Sequence, residues 1–574
     1  MTRRPRGALL LLLAGVVAVF AAFVAATGGI DTRIAGIAVR SRSWERPATV
    51  AFVLALAGLY AVRQTLRHLG PLATRAVVPV LVAWALFAGL CFGTYAAGGA
   101  DSFGYLSQAQ LLARGRLTDT MPRHEGFDWP DVPATLTPLA YTRNAVPDVL
   151  VPVYPPGLSL MMAPLTLIHA NAVFLLVPLC AALTVWLTVV LGRAISEPAA
   201  GVLGALLVAV SPTFLLQTAQ PMSDVPVAAL WLSALVLARR PSTAAAILAG
   251  VVSSLAILVR PNLAPLLLLV AAACATLRSA PSDRPAGAIS LANLPWTRAI
   301  WPLLAAMPGV VALGAIQAVR YGSPLGSGYG SFDDLFGLSN VAPNLARYPR
   351  WMTETHTPLI WLWLLAPFSI RFLDRGVRAF GWILYIFAAA VVLAYLPYVY
   401  FRPEEWSYTR FLLPALPVMA ALVALVLLTA ARRIVPRAPV AAAAAVCVVV
   451  AALSVYNAVS LGVFGMRDGE RKYPRAGGFV RERLPATAFV LAAQHSGSIR
   501  YYSGRPTLRW DMLDAGSLDR AIASLRRAGY EPYAVLDVEE DERFRAYFGA
   551  RDQQAVGGLL PMATLGNTNV YGFR

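Results

Sequence analysis

The sequence predicts a mainly α-helical, polytopic transmembrane bundle of about thirteen spans, followed by a small C-terminal α/β domain outside the membrane. Three observations carry this expectation. The chain is 58% hydrophobic and only 14% charged, with a mean hydropathy of +0.61, whereas soluble domains carry roughly 25% charged residues. Apolar windows of about 20 residues, enough to cross ~30 Å of hydrocarbon, recur along most of the length. After residue 462 the long apolar runs stop and charge rises.

The spans are expected near 8–27, 48–62, 76–94, 169–192, 200–217, 225–238, 243–259, 262–277, 299–318, 358–370, 380–400, 411–430 and 440–462. The pair around Arg260-Pro261 reads either as two crossings or as one broken hairpin. Met1-Thr-Arg-Arg-Pro-Arg ahead of an apolar run reads as a retained first helix with a cytoplasmic basic flank. Arginines crowd the short alternate loops, which the positive-inside rule assigns to the cytoplasm. An odd span count then places the C-terminal segment, residues 463–574, outside the membrane.

The net charge of +18 comes almost wholly from arginine. Placed in short loops between apolar segments, these arginines suit membrane topology and anionic lipid phosphates rather than a nucleic-acid groove. No nucleic-acid partner is expected. The four cysteines, Cys91, Cys180, Cys274 and Cys447, lie inside apolar segments without metal-ligand spacing and read as small hydrophobes.

Two stretches break the hydropathy pattern. Residues 95–168 form a long outer loop in which Tyr105–Arg116 and Leu158–Ile168 read as helices lying in the membrane interface. Within residues 463–574, Ala488–Ala493 and Tyr533–Val538 read as strands and Leu518–Ala528 as an amphipathic helix.

The residues able to carry chemistry gather in the outer loops. Asp101, in Gly98-Gly99-Ala100-Asp101-Ser102, follows the third span; a carboxylate there can act as general base on a hydroxyl, or simply cap the next helix for about 1 kcal/mol. Val153-Tyr154-Pro155-Pro156-Gly157 either sets the entry of the following helix or is a plain turn. The loop Tyr400 to Arg410 holds Arg402, Glu404, Tyr408 and Arg410. Its arginines suit phosphate oxygens, and the competing reading is snorkelling among interfacial aromatics. Arg260 before Pro261 is a costly charge that must face a cavity or a partner. Asp224 reads as a helix cap more readily than as a second functional carboxylate. The glycines at 322, 326, 328 and 330 lack the lysine of a phosphate-binding loop and mark a flexible segment. Of five scattered histidines, only His356, near Glu354, is placed to join a site.

Together these pieces resemble the GT-C superfamily of membrane glycosyltransferases, in the bacterial branch related to protein O-mannosyltransferases and lipid A aminoarabinose transferases. The resemblance rests on Asp101 with the helix YLSQAQLLARG, on YPPG, on Arg260-Pro261 and on Arg410-Phe411-Leu412-Leu413-Pro414, and covers roughly residues 76–430. It implies a multi-pass protein of the bacterial inner membrane that moves a hexosyl or pentosyl group from a polyprenyl-phosphate donor to a hydroxyl of a glycan, lipid or protein acceptor. It also implies that Asp101 is the catalytic base; the candidate substrate-binding residues read from the sequence beside it are Tyr105, Tyr154, Asp224, Arg260, His356, Arg402, Glu404, Tyr408 and Arg410. The implied donor is a sugar on a polyprenyl phosphate, which needs no nucleotide-binding fold. Ser102 stands where many relatives have a second acid, which weakens a divalent metal without removing it from consideration. Two spans precede the Asp-bearing segment, where one is commoner.

The alternative is a transporter or flippase of a lipid-linked substrate. Such proteins show internal repeats and mid-membrane charges, whereas this chain shows no repeat and gathers its polar residues in outer loops. A non-catalytic scaffold with an outer partner-binding domain is a third reading. The glycosyltransferase reading requires Asp101 and Arg410 to open onto one outward-facing cavity.

Overall fold

The computed structural model describes residues 66–276, 295–401 and 405–574, together with the backbone of a hairpin formed by Ile30–Ile34 and Ile37–Ser41. The spans expected near 8–27 and 48–62 lie outside the described residues. The chain is a multi-pass membrane protein. Five described helices are long and apolar enough to cross a membrane by themselves: 172–195, 297–321, Arg375–Tyr395, Leu416–Ile434 and Pro439–Ser460. Shorter apolar helices fill the other expected positions, including Asp224–Ala238 and Thr243–Val259.

Burial separates central from peripheral helices. In Leu416–Ile434, 67% of the apolar window is buried within the protein, against 22% for the helix at 297–321 and 28% for Pro439–Ser460. The first therefore packs at the centre, and the other two keep apolar surface for lipid. Leu416–Ile434 starts with proline in its first turn and ends on Arg432 and Arg433. Proline needs no partner there, and the cations meet the negative end of the helix dipole.

The span expected at 200–217 is two helices, Pro198–Ala209 and Pro212–Thr218, bent by 66° at the break. Pro212 has no N–H to donate and holds Ser211 extended, at ψ 124°. The Ser211 hydroxyl then accepts from the Phe214 N–H and restarts the helix.

In the outer loop, the helix Asp101–Ala113 differs from the interfacial helix expected there. Eight of its residues, from Ser102 to Leu111, are buried, and it packs on Gly157–Ile168 instead of lying on a surface. A small antiparallel sheet follows it, with Val149–Pro152 between Asp119–Thr120 and Tyr141–Arg143. The C-terminal segment folds around a five-stranded sheet in the order Thr507–Leu508, Ala488–Leu491, Glu531–Asp537, Thr568–Phe573, Leu559–Thr564. The first three strands are parallel and the last two add antiparallel. Phe489, Val490, Val535 and Val570 are fully buried against it.

Candidate active site

Asp101 is the first residue of its helix but does not cap it. The residue before it, Ala100, makes no side-chain cap. The carboxylate instead reaches across the fold: Oδ1 accepts from the Tyr154 hydroxyl at 2.5 Å and Oδ2 from Arg410 Nη1 at 2.9 Å. Its side chain keeps 31% exposure and that of Arg410 keeps 21%, so both stay open to a substrate. Burial pushes the Asp101 carboxyl upward, but the Arg410 guanidinium and the Tyr154 hydroxyl outweigh it and hold the group below the ordinary carboxylate value.

Asp224 also departs from the capping role expected of it. It forms a buried ion pair with Arg260, whose side chain is 9% exposed while that of Asp224 is 1% exposed. The pairing answers the cost of burying a charge. Arg260 follows Val259 in extended conformation, between the helix Thr243–Val259 and a short turn at Pro261–Leu263. Its Nη1 has no hydrogen-bond partner among the described residues.

Phe411 links the two arginines. The guanidinium carbon of Arg260 lies 5.3 Å from the ring centroid and that of Arg410 lies 5.2 Å from it. Both distances are within cation–π range. Tyr408 stacks on the same ring at 15°.

The YPPG turn is fixed by packing. A Cβ on Gly157 would stand 2.3 Å from the backbone of Leu258 and Val259, so only glycine lets the turn abut the helix end that presents Arg260. Ser159 donates to the Tyr105 carbonyl or to Gln108 Oε1, and Gln108 Nε2 donates to the Tyr154 carbonyl at 3.1 Å. These bonds tie Tyr154 to the helix of Asp101. Tyr105, one turn beyond Asp101, donates to Ser223 Oγ at 3.0 Å beside Asp224.

A single cavity of about 630 Å³ is lined by Asp101, Tyr105, Tyr154, Asp224, Arg260, Tyr408 and Arg410. Asp101 and Arg410 therefore line one cavity, the geometric part of what the glycosyltransferase reading requires. Arg402 and Glu404 lie outside the described residues. His356 is not among the lining residues. It is buried between Ser211 Oγ, at 2.8 Å, and Thr355 Oγ1, at 2.6 Å, and burial pushes it down to about 4.

Sequence reasoning missed several lining residues: Ser223, Arg320, Tyr321 and the segment Gly328-Tyr329-Gly330. The glycine-rich stretch carried a signal, because Gly328 abuts Val153 next to Tyr154, and the Tyr329 ring meets Tyr154 edge-on at 5.8 Å. Among the described residues, no three His, Cys, Asp or Glu side chains gather as a metal site. Both cavity carboxylates face arginines, a donor set suited to an anion rather than a cation.

Residues 152–239 match the family described as oligosaccharyl transferase STT3, N-terminal. This segment includes Tyr154 and Asp224. Among solved structures, the chain is similar to ArnT from Cupriavidus metallidurans bound to undecaprenyl phosphate. The TM-score is 0.53 and the identity 13%, covering 86% of this chain and 97% of that one. The chain has the GT-C glycosyltransferase fold. The apo state of the same ArnT matches at a TM-score of 0.55 with 14% identity, covering 87% of this chain and 98% of that one. An archaeal GT-C structure also matches: the oligosaccharyltransferase AglB from Archaeoglobus fulgidus, in complex with an inhibitory peptide and a dolichol-phosphate. Its TM-score is 0.51 and its identity 13%, covering 88% of this chain and 75% of that one. No curated protein matches the chain in sequence.

Proposed function

We propose that the protein is a membrane glycosyltransferase that moves a sugar from a polyprenyl-phosphate donor to an acceptor hydroxyl at the outer face. The N-terminus is cytoplasmic and the C-terminal domain extracytoplasmic. One observation carries the reading: a single cavity joins the Asp101 carboxylate to the guanidinium groups of Arg260 and Arg410. The STT3 match and the GT-C fold support it, as does the lipid phosphate bound to ArnT.

The reaction divides its work between these groups. Asp101 takes the proton of the acceptor hydroxyl as its oxygen bonds to the anomeric carbon. The bond from that carbon to the phosphate oxygen breaks, and the lipid phosphate leaves with the electron pair. Arg410 and Arg260 hold the developing charge, the latter with the nitrogen that has no partner among the described residues. Attack opposite the leaving group inverts the anomeric centre. A depressed carboxyl pKa keeps Asp101 ionised at neutral pH, as a base must be.

The test is Asp101→Asn in membranes supplied with a radiolabelled polyprenyl-phosphate sugar. Transfer should fall by roughly 10²- to 10⁴-fold with expression unchanged. Undiminished transfer would remove Asp101 from the mechanism.

A further inference from the structure

The backbone that leads into Asp101 is held by the far end of the chain. The Ala97 N–H donates to the Tyr502 hydroxyl at 2.7 Å. Gly98 is pressed against the C-terminal domain: a Cβ there would stand 2.2 Å from Glu470 Oε2 and 2.4 Å from the Tyr473 ring. Gly99 takes φ +52°, with the Tyr473 hydroxyl 3.6 Å from where its Cβ would be. Farther along, the Leu139 N–H donates to Ser496 Oγ at 3.2 Å, and the Arg509 N–H donates to the Thr135 carbonyl at 2.6 Å.

The parts of the domain that make this grip include the carboxyl ends of its parallel strands. In open α/β sheets such ends form the crevice where ligands sit. Here Gln494, following the strand Ala488–Leu491, approaches Gly99. A buried network stiffens the edge. Asp537 Oδ1 accepts from His495 Nε2 at 2.9 Å and from Thr568 Oγ1 at 2.6 Å, and its Oδ2 accepts from Lys472 Nζ at 2.6 Å. The Tyr473 ring lies 4.8 Å from the His495 ring, which links the network to the grip.

We propose that the C-terminal domain is an internal clamp in which Tyr502 and Tyr473, acting on the backbone of residues 97–99, set the position of the Asp101 carboxylate. This rests on Asp101 as the general base. Neither tyrosine lines the cavity, so both are positioning residues. The expected effect is on turnover, because misplacement of a reacting group by about 1 Å can cost on the order of 10²-fold in rate. The carboxyl edge thus serves the chain's own loop, in place of the acceptor-binding or scaffold role open to such a domain.

The experiment uses the full chain in lipid nanodiscs, with Tyr502→Phe, Tyr473→Phe, their double variant, and Gly98→Ala as the severe form. Hydrogen exchange of residues 95–104 and steady-state transfer from a radiolabelled polyprenyl-phosphate sugar are read together. The double variant should exchange about tenfold faster at 95–104, with the membrane helices unchanged. Its kcat should fall by roughly 10- to 100-fold while KM for the donor stays within about twofold. Unchanged exchange at 95–104, a loss of protection spread through the helices, or an unchanged kcat despite faster exchange each overturns the clamp. Undiminished transfer by Asp101→Asn overturns the base assignment instead, and the exchange result is read independently of it.

Discussion

Arg410 Nη1 stands 2.9 Å from Asp101 Oδ2, joining two groups 309 positions apart in the sequence. The guanidinium that the proposed reaction assigns to the leaving phosphate is thus also the partner of the proposed base, and a phosphate held by Arg410 would compete with Asp101 for the same donor nitrogen.

Arg410→Lys tests this shared role. Lysine keeps the charge but loses the planar fork and the stacking on Phe411. Transfer kinetics should show kcat/KM lowered by roughly 10- to 100-fold, about 1.4 to 2.7 kcal/mol of transition-state stabilisation. Kinetics equal to the parent would mean that the paired geometry of the guanidinium is not used.

The Asp224–Arg260 pair separates structure from chemistry. Asp224→Ala leaves a buried guanidinium without its counter-ion, which should cost about 3–5 kcal/mol and lower the Tm sharply. Replacing both residues, Asp224→Leu with Arg260→Met, should recover most of the stability without recovering transfer. Thermal unfolding and transfer assays on the two variants read these outcomes, and a fully active double variant would remove Arg260 from the reaction.

Tyr154→Phe addresses the proton affinity of Asp101. The carboxyl's folded pKa is depressed, so its stabilising contribution is present above the unfolded value near 3.9 and is lost as pH falls through the folded value. Removing the Tyr154 hydroxyl deletes one of the groups that lower the pKa. The acid limb of the kcat/KM profile should move to higher pH. A limb that stays in place would show that the neighbouring arginines, not the Tyr154 hydroxyl, set the ionisation.

His356 predicts an acid sensitivity of the fold. Burial holds it near 4, against about 6.5 in an unfolded chain. The unfolded state therefore binds the extra proton between those values, and stability falls as pH drops from 6.5 towards 4 by up to on the order of 3 kcal/mol. His356→Gln should flatten this slope in pH-dependent melting, even if it starts from a lower Tm. A slope unchanged by the substitution would assign the sensitivity to another group.

Local patterns in the sequence revealed the elements but not their partners. Strands expected at Ala488–Ala493 and Tyr533–Val538 appear as Ala488–Leu491 and Glu531–Asp537, because alternation and apolar runs are local signals. The cavity-lining residues Asp101, Tyr154 and Arg410 could be picked out as candidates for a similar reason: each sits where an apolar segment gives way to polar residues. Asp224 was read as a cap because Arg260, 36 positions away, leaves no trace in its neighbourhood. His356 was grouped with Glu354, yet residues two apart on a helix do not face each other. Glu354 pairs with Arg350 on the exposed side at 3.0 Å, while His356 turns inward. The bend at Ser211-Pro212 was hidden inside a run whose hydropathy alone suggested one span.

The bond between Ala97 and Tyr502 also constrains biogenesis. Its partners are 405 residues apart, and chains are synthesised N-terminus first at about 5–20 residues per second. Roughly 20–80 s of translation separates them at that rate. Throughout that interval the nascent chain carries Asp101 without Tyr502. On the proposed clamp, the carboxylate of Asp101 can be set in place only once Tyr502 has been made and the C-terminal domain has folded.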